Sequence, residues 1–192
     1  MSKLFVTQVA DETMTVVAET SNEKTARVSY HNTCKNLWND ANTDTAIVEI
    51  VDEGLNTWGG YHEDINKLSD YPAYDEEIEY SKGAIVNYES KDYEYINDEA
   101  SQGNLPTDTD YWQEFIPSGK LFVMAVSNNS LIKKDITEWD RSKTGVKGAM
   151  VDFHTKCATY WNADDVITAN VKILNEALDG YKSEFIFHAV EE

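Results

Sequence analysis

The chain has 192 residues, of which 41% are hydrophobic and 27% charged, with 35 acidic against 16 basic residues and a formal net charge of −19. Phosphate binding needs a basic patch, and the longest basic run is Lys133-Lys134, so nucleic acid is excluded as a partner class. No apolar run approaches a membrane span, and Met1-Ser2-Lys3 leads directly into an amphipathic strand, so the sequence reads as a soluble product made without a cleaved secretion signal.

From the N-terminus, Lys3 to Val9 and Met14 to Val17 are β-prone stretches separated by the turn residues Ala10-Asp11-Glu12-Thr13, the pattern of a hairpin. Ser21 or Asn22 is placed to cap a helix. Ala26, Tyr30, Cys34, Leu37 and Trp38 then recur at helical spacing and define one buried face, with the histidine of this segment at its margin. Asn39 is expected to end the helix in a left-handed conformation. Thr45 to Val51 alternates as a strand with one face inward, and a turn containing Gly59-Gly60 is expected to lead into a return strand over Tyr61 to Ile65. Residues 1–68 therefore read as ββαββ.

Residues 69–117 differ in character. They are rich in tyrosine and carry strand-like pieces at Ala84 to Tyr88, Tyr93 to Ile96 and Tyr111 to Phe115, which make a small three-stranded sheet held by aromatic packing. Residues 118–192 return to the first pattern, with the helical stripe Ala149, Phe153, Cys157, Tyr160 and Trp161, Asn162 at the helix end, a strand over Asn170 to Glu176, a turn at Leu178-Asp179-Gly180 and a strand from Tyr181.

The return is a repeat. His31-x2-Cys34-x3-Trp38-Asn39 has its counterpart in His154-x2-Cys157-x3-Trp161-Asn162, and at that offset 12 of the 30 positions from Ala26 to Leu55 are identical. Unrelated segments agree at roughly one position in fifteen to twenty, so duplication is the better explanation. Lys3-Leu4-Phe5-Val6 likewise matches Lys120-Leu121-Phe122-Val123, and Tyr61 is aligned with Tyr181. The expected fold class is α+β, with two duplicated ββαββ domains flanking a small all-β module. Units this small are marginal alone, so the copies are expected to pack together or against neighbouring chains.

In the middle segment, Tyr80-x2-Gly83-x2-Val86-x-Tyr88-x4-Tyr93, then Pro106 and Tyr111-Trp112, resembles the chitin-binding fold of carbohydrate-binding module families five and twelve. The resemblance implies that Gly83 turns the chain into a strand, that Tyr88 and Tyr93 fill the core and that Trp112 closes it. It also implies that Tyr93, Tyr95 and Trp112, where exposed, are the residues to stack on a sugar. Modules of this kind resemble pieces of bacteriophage virion proteins, and the outer repeats resemble small domains of gut-phage proteins. Together these likenesses imply a virion decoration or fibre-associated protein.

Among chemical constellations, the two His-x2-Cys pairs could supply a zinc set if the copies faced each other. Buried thiols with boundary imidazoles explain the same residues, no acidic residue recurs beside either helix to orient an imidazole, and no metal or cofactor is expected. A cysteine inside a core stripe lacks access as a nucleophile. Asp75-Glu76-Glu77 and Asp108-x-Asp110 read as linker and turn carboxylates, Gly145-x2-Gly148 is too short a pattern for a phosphate loop, and Trp58 and Trp139 read as loop anchors. The expectation is a non-enzymatic structural protein of a phage particle, made in the host cytoplasm. It would bind capsid or tail subunits and copies of itself, touch glycans through the middle module, and engage neither nucleic acid nor membrane. The rivals are a free carbohydrate-binding protein, an enzyme acting on acidic or sugar substrates, which would need a cleft with convergent titratable groups, and an acidic host-directed inhibitor.

Overall fold

The computed structural model describes residues 3–10, 12–67, 71–89, 91–128, 132–177 and 180–187. They form a mixed α+β structure with two helices and three antiparallel sheets. The chain divides into two compact units, one made of residues 1–67 with 118–192 and the other of residues 68–117.

In the first unit, β1 (Leu4–Ala10), β2 (Thr13–Thr20), β3 (Thr45–Asp52) and β4 (Thr57–Asn66) make a sheet of order β2-β1-β3-β4, with α1 (Glu23–Asn39) between β2 and β3 in sequence. The chain re-enters this unit through β8 (Lys120–Asn128), β9 (Ile132–Asp140), α2 (Lys143–Asn162), β10 (Thr168–Asn175) and β11 (Gly180–Phe187), whose sheet runs β11-β10-β8-β9. The two halves thus share element order and strand order. Each helix lies on its own sheet, and α1 packs on α2.

The helices begin where side chains satisfy free backbone donors. Asn22 accepts from the Thr25 N–H and Ser142 from the Gly145 N–H. Their C-termini differ from the expected left-handed ending: the capping residues Asp40 and Ala163 have φ of −66° and −75°. Asp40 N–H bonds back to the Asn36 and Leu37 carbonyls, which closes the last turn without an αL residue.

All residues of the expected stripe on α1 are buried, as are Ala149, Phe153, Cys157 and Trp161 on α2, whereas Tyr160 is half-buried. They join one core with Val6, Val48 and Ile50 from the first sheet and Val123, Val171 and Ile173 from the second. Apolar burial on this scale is the main stabilising term, at about 25 cal/mol per Å² of apolar surface.

Several local expectations are corrected. Gly59 and Gly60 lie inside β4 with φ of +63° and +75°, not in the turn before it. The turn sits earlier, where the Asp52 carboxylate accepts from the Gly54 and Asn56 backbone N–H groups. The glycines coincide with a register shift between Glu49 and Val51, a bulge that only residues without Cβ accept cheaply. Trp58 and Trp139 belong to strands β4 and β9, not to loops. Trp139 lies over Gly148 of α2, where an added Cβ would stand 2.3 Å from the indole, so Gly148 is the packing gap that lets helix and strand approach. The expected turn residues Leu178 and Asp179, and the chain after Phe187, lie outside the described residues.

The second unit is a three-stranded sheet of order β5-β6-β7, built from β5 (Ile85–Tyr88), β6 (Lys91–Tyr95) and β7 (Trp112–Glu114). Its own core is Tyr80, Val86, Tyr95 and Trp112, with Tyr74, Ala84, Tyr93 and Tyr111 packed around it. Gly83 has φ of +88° and precedes β5. Trp112 is the hub, with Tyr80 and Tyr95 edge-on to it at 5.2 and 4.9 Å, geometry that favours aromatic pairs.

Candidate functional site

Where α1 meets α2, His31 and His154 face each other with their Nδ1 atoms 3.0 Å apart. The two side chains are 1% and 0% exposed, so although they sit at the margin of the stripe, the expectation of boundary imidazoles is wrong. They lie one position after Tyr30 and Phe153, on the edge of the buried face that each helix turns toward the other. The helix–helix contact, which one helix pattern alone does not reveal, takes them out of water.

Each ring is also approached by a carboxylate from the opposite half. His31 Nε2 lies 3.7 Å from Glu184 Oε1 on β11, and His154 Nε2 lies 3.7 Å from Glu63 Oε1 on β4. Acidic residues therefore do accompany both histidines, against expectation. Each glutamate also receives an indole N–H from its own half, Trp38 Nε1 to Glu63 at 3.4 Å and Trp161 Nε1 to Glu184 at 3.2 Å.

The two sides are completed differently. Lys182 Nζ pairs with Glu63 Oε2, whereas Glu184 Oε1 accepts from the Tyr61 hydroxyl at 2.7 Å. Strand register explains the exchange. Val48 pairs with Glu63 and Val171 with Glu184, so Tyr61 on β4 occupies the position that Lys182 holds on β11. The alignment of Tyr61 with Tyr181 is off by one residue. Arg27 lies over the rings of Trp58, Tyr61 and Trp161, with its guanidinium carbon 4.2 Å from the Trp161 ring centre, and pairs with Glu23.

The electrostatics follow from burial and pairing. Burial by itself would raise Glu63, but the neighbouring His154 imidazole together with the Lys182 ammonium brings it down to about 2. Glu184 is also lowered against its burial, by His31, the Tyr61 hydroxyl and the Trp161 indole. Burial pushes His154 down to about 4, with His31 and Lys182 adding to the shift and Glu63 opposing it. Burial raises the Cys34 and Cys157 thiols well above their ordinary value. They are protonated at neutral pH and poor nucleophiles. Tyr30 and Tyr61 are raised as well, chiefly by burial, and stay protonated.

A cleft of about 320 Å³ opens on this seam, lined by the two imidazoles, Gly59, Gly60, Lys182 and Phe185 among others. Among the described residues no group of three or more His, Cys, Asp or Glu side chains is arranged to hold a metal ion. No described helix is long and apolar enough to cross a membrane.

The residues expected to stack on sugars lie elsewhere, in the second unit, and two of them are closed to any ligand. Tyr95 is 0% and Trp112 1% exposed, and each uses its polar atom internally. The Tyr95 hydroxyl donates to the Glu99 carbonyl at 2.8 Å, and the Trp112 indole N–H to the Asn104 carbonyl at 2.9 Å. Stacking by these two is excluded because the module needs both rings as its core. Tyr93 is half-buried and packs against the same core. The carboxylates of Asp75 and Asp108 accept backbone N–H groups from Glu77 and Asp110 in local turns.

Glu63, Glu184, Tyr61 and Lys182 were missed in the sequence, although a signal existed. Glu63-Asp64-Ile65 and Glu184-Phe185-Ile186 share a Glu-x-Ile pattern, at an offset two residues shorter than that of the helices. The shorter connection before β11 hid it. No protein-family model and no curated protein matches the chain.

Proposed function

We propose that the chain is a non-enzymatic structural protein, of the capsid-decoration or fibre-associated kind in a phage particle. In this reading two duplicated ββαββ domains, residues 1–68 and 118–192, form the attachment base, and residues 69–117 are an inserted all-β module. Duplication is supported by the 12 identities in 30 positions, by the common strand order, and by Glu63 and Glu184 standing at matching register positions.

The observation that carries the functional reading is the character of the outer sheet faces. On the first sheet Met14 and Ile47 flank Val9 in neighbouring strands, and Val16 follows in the next row, all pointing away from the helix. On the second, Ile136, Phe185 and Phe187 point outward, while Ile186 between the two phenylalanines is buried. Met14 is 63% and Phe185 64% exposed. Grouped apolar side chains in contact with water mark protein-binding surfaces. Two such faces on one chain suit two like neighbours, and linking them raises the effective concentration of the second contact. The titratable groups of the seam, by contrast, are turned inward and spent on one another, which favours a binding role over a catalytic one.

Attachment to the particle is tested by sedimenting purified protein with phage particles that lack it. Stoichiometric co-sedimentation, lost in a folded Phe185→Asp, Phe187→Asp variant, is the expected result. Absence of co-sedimentation with any particle fraction would overturn the virion assignment.

A further inference from the structure

We infer that the seam between the two halves is a proton-binding site: His31 and His154 hold one proton in common between their Nδ1 atoms, as an imidazolium–imidazole pair clamped by Glu184 and Glu63. Two Nδ1 atoms 3.0 Å apart make a hydrogen bond only if one carries a hydrogen and the other a lone pair. If both rings were neutral, the ring that donates through Nδ1 would have a bare Nε2, and that lone pair would face a carboxylate at 3.7 Å. If both rings were charged, two N–H groups would meet head-on. Three ring hydrogens satisfy every contact: one N–H shared between the Nδ1 atoms, and one on each Nε2 toward its glutamate. The Nε2 atoms of His31 and His154 are buried with no hydrogen-bond partner, and in this arrangement each carries a hydrogen toward the carboxylate 3.7 Å away.

Charge supports the same count. Around the pair stand Arg27, Tyr30 and Cys34 of α1, Cys157 of α2, Tyr61 and Glu63 of β4, and Lys182 and Glu184 of β11. Arg27 is paired with Glu23, and the thiols and phenols are neutral. That leaves two carboxylates against one ammonium, a deficit that one shared proton cancels. The broken symmetry says where the positive ring lies. Glu63 already has Lys182, while Glu184 has only the neutral donors Tyr61 and Trp161, so the imidazolium is His31 and His154 is the neutral acceptor. The lowered affinity of His154 for a proton of its own fits that role. Interacting sites of this kind titrate as a pair.

The consequence is a joint sensitive to rising pH. The hydrogen bond between the two rings, with an Nε2–H toward each carboxylate, holds while the shared proton is bound and is lost when it leaves. When the proton leaves, one buried carboxylate is unbalanced and faces a lone pair.

The test is nitrogen-15 NMR of the imidazoles in the full chain carrying His62→Gln, which removes an exposed histidine. The expected result at neutral pH is a protonated Nε2 on both buried rings, with both rings responding together to one deprotonation as pH rises. Separate titrations of the two rings, or an unprotonated Nε2 on either at neutral pH, would overturn the assignment. A second variant, Glu184→Gln, removes the unbalanced anion, and the midpoint for loss of the shared proton should then fall by roughly one to three on the pH scale. An unchanged midpoint in that variant would also count against the proposal.

Discussion

At the scale of single residues, the seam concentrates costs that burial imposes on charge. An unfolded chain holds His154 at its ordinary value of 6.5, and the fold lowers it to about 4. Between these values the unfolded state binds more protons, so stability from this residue is complete above 6.5 and is lost as pH falls toward 4. Glu63, lowered from 4.5 to about 2, adds a loss of the same sign between those two values. A tenfold difference in proton affinity is worth about 1.4 kcal/mol, so urea titrations at pH 7, 5 and 3 should show a decline of several kcal/mol. A flat profile would contradict the burial of the pair. Trp161, which is 3% exposed, offers a separate test: Trp161→Ala should cost about 3 to 5 kcal/mol. Trp161→Phe keeps a ring beside Arg27 but loses the N–H to Glu184, a hydrogen bond to a charged group worth about 1.5 to 3 kcal/mol, together with a smaller part of the indole's packing. The difference between the two variants measures the packing of the ring that phenylalanine retains.

The elements are fixed by close approaches as much as by pattern. The Gly148 position admits Trp139 because it has no side chain, and Gly145 stands even nearer to the Asp140 backbone, with a Cβ there falling 1.7 Å from the Asp140 oxygen. Gly148→Ala should destabilise by about 1 to 3 kcal/mol, since the indole must be displaced from the core edge. Thermal denaturation would show it as a lowered midpoint. Gly145→Ala presses on backbone instead of a movable ring and should be the worse of the two. These glycines carry no phosphate-loop meaning; they set the distance between β9 and α2. The helical stripes were legible because burial on one face writes a 3.6-residue period into the sequence. The helix ends were less so, because Asn39 and Asn162 tolerate a left-handed conformation without requiring it. The bulge in β4 was hidden because Gly-Gly serves a turn and a bulge equally well.

For the molecule as a whole, the two compact units have separate cores. Calorimetry should accordingly resolve two transitions. Trp112→Ala removes the aromatic hub of the smaller unit and should lower one of them by several degrees while leaving the other in place. The formal charge of −19 keeps such a chain from associating nonspecifically, even with Phe185 and Phe187 exposed on the outer sheet face.

The sequence by itself determined the α+β class, the two ββαββ patterns, the helical faces and the aromatic packing of the middle unit, but it put Tyr88 in that core and Tyr95 outside it, where the structure has Tyr95 at the centre and Tyr88 out. These depend on local periodicity and on residues close along the chain. Only the tertiary structure decided that the histidines meet, and which carboxylate meets which ring. His31 and His154 are 123 positions apart, as are Tyr61 and Glu184, and Lys182 reaches Glu63 across 119. Such contacts arise when two halves pack helix against helix and edge strands carry their side chains across the seam. A one-residue change in strand register exchanges a tyrosine for a lysine beside a buried glutamate; the Glu-x-Ile pattern aligns the two positions, but not which half each side chain reaches.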